Sequence, residues 1–172
     1  NGAGKTTLLR IIAGIMNPTS GEVFIDKMSY DKNDLEIKSK LAFLSGNTKL
    51  YKDISPVELL RMCGEYYDVD KKTLDKRINE IVKRFDMNFF KNQKISDLST
   101  GQTQRVGIAR CLVHDPKYYI LDEPTSGLDI ISSQVILDFI KEEKKNGKCV
   151  LYSTHYMEEA ENICDRVVLL NK

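Results

Sequence analysis

From residue 99 onward, helical and extended patterns alternate without interruption. A helix is predicted over about Ser99 to Val113, then a β-type run Tyr118 to Leu121, a helix near Ser132 to Lys145 and a strand Cys149 to Ser153. A short helix from about Met157 and a strand Arg166 to Leu170 follow. Alternation of this kind calls for parallel strands joined by right-handed crossovers, so the predicted class is α/β with a mainly parallel sheet.

The earlier part of the chain completes the outline. Lys5 to Ala13 reads as a helix stopped by Gly14, and Asn17-Pro18-Thr19-Ser20-Gly21 as a turn. Glu22 to Asp26 and Leu41 to Ser45 read as strands. From about Ser55 the pattern becomes helical, and within 71–86 Leu74, Ile78, Ile81, Val82 and Phe85 recur at helical spacing between charged residues, the mark of an amphipathic surface helix. The expectation is one domain over 1–172, its core at about 1–52 and 98–172, with a helical subdomain inserted at about 53–97. No internal repeat or low-complexity tract is evident.

Composition narrows the function classes. With 172 residues, 41% hydrophobic and 30% charged, the chain can bury a full core and is not of disordered type. Lys plus Arg (26) nearly balances Asp plus Glu (25), so no basic excess points to a nucleic acid, and none is expected as a partner. The cysteines Cys63, Cys111, Cys149 and Cys164 form no CxxC pair, which argues against a zinc cage or disulfide scaffold and for reduced thiols. Apolar runs such as Val167 to Leu170 are far shorter than the roughly 20 residues of a membrane-spanning helix. The first residue already lies inside a motif, so the sequence reads as a piece of a longer chain.

That motif is Asn1-Gly2-Ala3-Gly4-Lys5-Thr6-Thr7, the end of the pattern GxxxxGK[ST]. Its glycines let successive N–H groups and a helix N-terminus face a polyphosphate. Lys5 is then placed to reach the β and γ phosphates, Thr6 to ligate Mg²⁺, and Thr7 to support the α-phosphate side. Taken alone the segment is also compatible with a plain glycine-rich turn before a helix.

A second constellation stands at the end of the strand Tyr118-Tyr119-Ile120-Leu121, where Asp122-Glu123-Pro124 follows. Open parallel sheets bind ligands at the C-terminal ends of their strands. Asp122 is the candidate Mg²⁺ carboxylate, and Glu123 the candidate for polarising the water that attacks the γ-phosphate.

Leu98-Ser99-Thr100-Gly101-Gln102 carries a capping-box spacing from Ser99 to Gln102. Its place, 23 residues before Asp122, resembles the LSGGQ signature of the ABC ATPases. Ser126-Gly127-Leu128-Asp129 resembles the D-loop of that family, and His155 its switch histidine. The resemblance extends over essentially the whole chain. It implies a P-loop NTPase core of the ABC type, ATP and Mg²⁺ as ligands, and ATP hydrolysis. It also implies a second ATPase domain, a homodimer being expected, in which Ser99, Gly101 and Gln102 of one subunit complete the site formed by residues 1–7 of the other. Asp129 would lie at the seam and His155 would contact the γ-phosphate. The first-turn N–H groups at Ser99 and Gly101 would serve the phosphate across the interface. His114 matches no motif and is read as structural.

Two departures stand out. Thr100 occupies a position where the family's commonest pattern has Gly, which is tolerable if its φ is negative. Gly46 falls where a Gln normally meets Mg²⁺ and water; either the adjacent Asn47 supplies the amide oxygen, or the loop is purely mechanical.

LSTGQTQRVGIAR, LVHDP and STHYMEEAE resemble the prokaryotic branch of sodium-extrusion and drug-resistance ATPases. That resemblance implies an exporter subunit, peripheral at the cytoplasmic face of the membrane, whose helical subdomain meets a transmembrane permease. A soluble ABC ATPase acting on ribosomes or another complex stays open as the alternative. Chromosome-type members are less compatible, because only 94 residues separate Lys5 from Ser99, too few for a long coiled coil. A non-hydrolysing regulatory module is opposed by Lys5, Asp122, Glu123 and His155.

Overall fold

The computed structural model describes residues 2–45 and 49–171. Asn1, Gly46 and Asn47 therefore lie outside the described residues, together with the expectations attached to them. Three strands, β3 (Leu41–Ser45), β4 (Tyr118–Asp122) and β5 (Cys149–Ser153), form a parallel sheet in the order β3-β4-β5. A separate antiparallel pair, β1 (Phe24–Ile25) with β2 (Met28–Ser29), replaces the longer strand expected at Glu22 to Asp26. The pair turns through Asp26 and Lys27, both at positive φ, and this tight reversal limits each strand to two residues.

The register places Ser45, Asp122 and Ser153 in one row across the C-terminal end of the sheet. Side chains alternate across the sheet, as a strand requires. Tyr119 and Leu121 of β4 join the larger core, with Leu44 and with Val106, Ile136 and Phe139 of the flanking helices. Ile120 points the other way, into a smaller cluster with Leu9, Ala13 and Leu41. Helix α1 (Lys5–Ile12) covers that face, while α5 (Thr100–Leu112) and α6 (Ile130–Lys145) cover the opposite one. The central strand β4 is thus buried on both faces, which explains its nearly continuous apolar run, while the edge strand β5 leaves Cys149 and Leu151 exposed on one face.

Helices α3 (Pro56–Tyr66) and α4 (Lys71–Arg84) pack on each other and on α5. Ser55 and Glu58 cap α3 reciprocally, with Pro56 at its first position. Asp70 caps α4 by accepting the Thr73 N–H at 3.0 Å. The predicted apolar stripe of α4 is the face it buries: Leu74, Ile78, Ile81 and Val82. At its C-terminal end Arg84 reaches α6, donating to Glu143 at 2.8 Å, and Tyr119 donates to the other Glu143 oxygen at 2.9 Å. Glu143 is only 4% exposed, so these two donors satisfy a carboxylate that burial would otherwise penalise.

Two further expectations differ from the structure. Residues 166–170 form no strand: Val167, Val168 and Leu169 are exposed, and no described strand pairs with them. Helix α2 (Tyr30–Ser39) was not anticipated, because it is mostly polar, buries only Ile37 and bends at Asn33. His114 is structural, as expected: its ring stacks on Tyr67 at 3.8 Å and its Nε2 lies 3.3 Å from the Leu41 carbonyl oxygen. Burial holds its pKa below the ordinary histidine value. The four cysteines are unpaired, and burial pushes the Cys111 thiol up to about 11. None of the described helices is long and apolar enough to cross a membrane.

Candidate active site

Glycine geometry opens the site. Gly2 and Gly4 have φ of 84° and 87°, a region closed to most side chains, and Gly4 serves as N-cap of α1. The chain can therefore turn directly into the helix, with first-turn N–H groups that have no intrahelical acceptor. Lys5 and Thr6 follow on that first turn, beside the end of β4.

Asp122 is 5% exposed, and each of its oxygens accepts one hydroxyl. Thr6 Oγ1 donates to Oδ2 at 2.7 Å and Ser153 Oγ to Oδ1 at 2.7 Å. Ser153 reaches this place because β5 pairs with β4 in the register Asp122↔Ser153. A serine at the end of a strand carries little signal in a single sequence, and sequence reasoning missed it.

Glu123 leaves the strand with φ 47°, a left-handed conformation uncommon for a non-glycine residue. Its N–H is held by both the carbonyl oxygen and the hydroxyl of Ser153, at 3.1 and 3.0 Å. Such a conformation costs of order 1–3 kcal/mol and persists where neighbours over-determine it. Its carboxylate lies between two nitrogens: Lys5 Nζ is 3.6 Å from Oε1, and His155 Nδ1 is 3.6 Å from Oε2. Lys5, Thr6, Asp122, Glu123 and His155, scattered over 150 residues of sequence, thus meet at the ends of two adjacent strands.

Lys5, Thr6, Asp122 and Glu123 border a cleft of about 630 Å³, lined also by Gly2, Gly4, Thr7 and, from α5, Thr100 and Gln104, whereas His155 meets the site through Glu123 and is not on the lining. Gln104 Nε2 donates to the Pro124 carbonyl oxygen at 2.9 Å, tying α5 to the turn after Glu123. This contact and the cleft-lining Arg10 were likewise not foreseen. Ala3 is half-buried and does not line the cleft.

Ser99, Gly101, Gln102 and Asp129 are not brought to this cleft. Ser99 and Gln102 close the capping box, with the Ser99 N–H donating to Gln102 Oε1 at 2.9 Å and Ser99 Oγ accepting from the Gln102 N–H at 3.2 Å. The expectation of a free N–H at Ser99 is therefore corrected: its own cap occupies it. The Gly101 N–H, in the first turn, has no acceptor within the helix. Thr100 starts α5 without a positive φ, so its β-branch is accommodated. Asp129 caps α6, taking the Ser132 N–H and hydroxyl, each at 2.8 Å, and these bonds hold its carboxyl below the usual range.

The donor types at Asp122 suit a hard cation. Thr6 Oγ1 and Asp122 Oδ2 offer adjacent oxygens, and Mg²⁺ prefers one or two protein oxygens completed by phosphate and water. No group of three or more His, Cys, Asp or Glu side chains among the described residues forms a self-sufficient metal cage.

Similarity to known proteins agrees with this geometry. The chain is 39% identical over 172 residues to the ABC transporter ATP-binding protein NatA of Bacillus subtilis, covering 99% of this chain and 70% of the relative. It is 31% identical over 171 residues to the Nod factor export ATP-binding protein I of Cupriavidus pinatubonensis, covering 99% of this chain and 53% of that one. Of several other relatives the chain spans between 51% and 61% of the length. A dimeric ATP-binding cassette solved in a post-hydrolysis state with ADP and Pi superimposes with a TM-score of 0.82 at 31% identity, covering 92% of this chain and 73% of that one. The sequence model of the ABC transporter family matches residues 1–126. With the P-loop, the paired acids and a parallel sheet in place, this chain belongs to the ABC transporter ATP-binding family, a family of ATPases.

Proposed function

We propose that this chain binds and hydrolyses ATP to drive a membrane exporter, through ATP-dependent closure of two ATPase domains. The observation that carries the reading is the placement of Glu123, with one carboxylate oxygen facing Lys5 and the other facing His155, each at 3.6 Å. Glu123 accepts the proton of the attacking water. Lys5 offsets charge on the β and γ phosphates, and His155 donates toward the γ-phosphate. The backbone of Gly2 to Thr7, preceded by Asn1, cradles the phosphates. Thr6 and Asp122 would hold Mg²⁺, which when bound neutralises phosphate charge.

Ser99, Gly101, Gln102 and Asp129 do not line the cleft of their own chain, and they are assigned to the nucleotide of a second copy. A monomer is then incomplete as an enzyme. Residues of about 53–97 form the helical subdomain that meets a transmembrane permease, and the chain works at the cytoplasmic face of the membrane. Export is favoured over import by the relative named for Nod factor export.

The test is light scattering on full-length protein carrying Glu123→Gln, with ATP and with ADP. A shift from monomer to dimer with ATP alone is the expected result. A protein that binds ATP yet stays monomeric would overturn the homodimer.

A further inference from the structure

Beside the cleft, one carboxylate collects hydroxyl groups from two segments that carry reacting groups. Glu159, on α7 (Met157–Ile163), accepts at the same oxygen, Oε2, from Thr125 Oγ1 at 3.1 Å, from Thr154 Oγ1 at 2.9 Å and from the hydroxyl of Tyr152. Thr125 is 3% exposed and lies two residues after Glu123. Tyr152 and Thr154 flank Ser153, and Thr154 immediately precedes His155. Thr154 Oγ1 also accepts the Tyr156 N–H at 3.0 Å, so the hydroxyl that Glu159 orients brackets the backbone of His155. Thr125 and Tyr152 hydroxyls are themselves 3.2 Å apart.

We propose that Glu159 is a positioning residue that locks the loop after Glu123 to the loop carrying His155, so that the two side chains keep their mutual placement through the catalytic cycle. The proposal rests on the hydrolytic reading of Glu123 and His155 given above. Its physical basis is a count of protons. Each hydroxyl has one proton to donate, and three such donors converging on one site need an acceptor with no proton of its own. A carboxylate oxygen takes these bonds with charge assistance, whereas an amide in its place offers a neutral, weaker acceptor and adds N–H donors that compete. Glu159 does not border the cleft, so its effect should fall on the chemical step and spare ATP binding.

Glu159→Gln, Thr154→Val and the double variant would be compared in the full-length ATPase, assembled with whatever subunits its hydrolysis requires. Each single change is expected to lower kcat by about five- to tenfold with the KM for ATP changed less than about twofold. The double variant is expected to be no slower than the worse single, because both remove the same link. Fold-losses that multiply in the double variant, KM rising in step with kcat loss, or unchanged kcat in both singles would overturn the proposal. If Glu159→Gln does not fold, as read by its thermal midpoint, Thr154→Val paired with Tyr152→Phe gives the same cycle with one hydroxyl removed at each position. His155→Ala separates the two levels: if it leaves hydrolysis intact, the hydrolytic reading fails, whereas if it abolishes hydrolysis and the cycle is multiplicative, only the role of Glu159 fails.

Discussion

Ser153 Oγ donates to Asp122 Oδ1 at 2.7 Å and accepts the Glu123 N–H at 3.0 Å, so one strand-end hydroxyl serves both acids of the site. Ser153→Ala removes a donor from a carboxylate that is 5% exposed. Leaving a buried acceptor short of its partner costs about 1–3 kcal/mol. Urea unfolding is expected to report a loss in that range, together with weaker Mg²⁺ dependence of hydrolysis. Unchanged stability would show that Thr6 alone suffices for Asp122.

Gly101 packs against the cap of the next helix. A Cβ there would stand 2.6 Å from Ser132 Oγ, the hydroxyl that donates to Asp129. Gly101→Ala should therefore destabilise by about 1 kcal/mol, even though Ala is the better helix former by about that amount. In a Ser132→Ala background the hydroxyl is gone and the nearest atom is the residue-132 Cβ at 3.3 Å, so the same change should cost less. Thermal midpoints of the four proteins check this, and equal effects in both backgrounds would refute it.

Asp129 predicts a pH dependence. Its carboxyl is held below the usual range by the Ser132 N–H first and the Ser132 hydroxyl second. A depressed native pKa adds stability that is fully present above the unfolded value, about 3.9, and is lost as pH falls through the native value. Asp129→Asn should thus be less stable than the parent at neutral pH, and the gap should close in acid. Denaturant titrations from pH 7 downward measure it, and a gap that widens in acid would contradict the assignment.

The buried link between α4, β4 and α6 gives a larger effect. Glu143→Ala would strand the Tyr119 hydroxyl and take one of two carboxylates from Arg84, whose side chain is only 23% exposed. Breaking a buried pair from one side costs about 3–5 kcal/mol. Arg84 keeps Glu142 at 2.8 Å, so the lower end of that range is expected. Adding Tyr119→Phe to Glu143→Ala should restore part of the loss, as followed by guanidinium unfolding.

The sheet was legible because its strands are short apolar runs ending in distinctive residues. Leu41–Ser45 and Cys149–Ser153 were predicted to the residue, and β4 differed only by including Asp122. Helix α5 was legible from its capping box, and the structure forms both bonds of that box. What escaped was set by partners distant in sequence. Ser153, Gln104 and Glu159 take their places from register and packing, which no local pattern encodes. Helix α2 lacks an apolar stripe, while residues 166–170 have the composition of a strand but pair with no described strand.

The row Ser45, Asp122, Ser153 makes assembly of the site a matter of whole steps. Pairing can slip only by residues, each about 3.3 Å along the strand, and a single step also turns every side chain to the other face. A slip of β5 would therefore withdraw Ser153 from both acids and bury the wrong side chains at once. Misassembled molecules would be inert and unstable together, so a population of this protein should contain competent sites or none, with no graded series of half-formed ones.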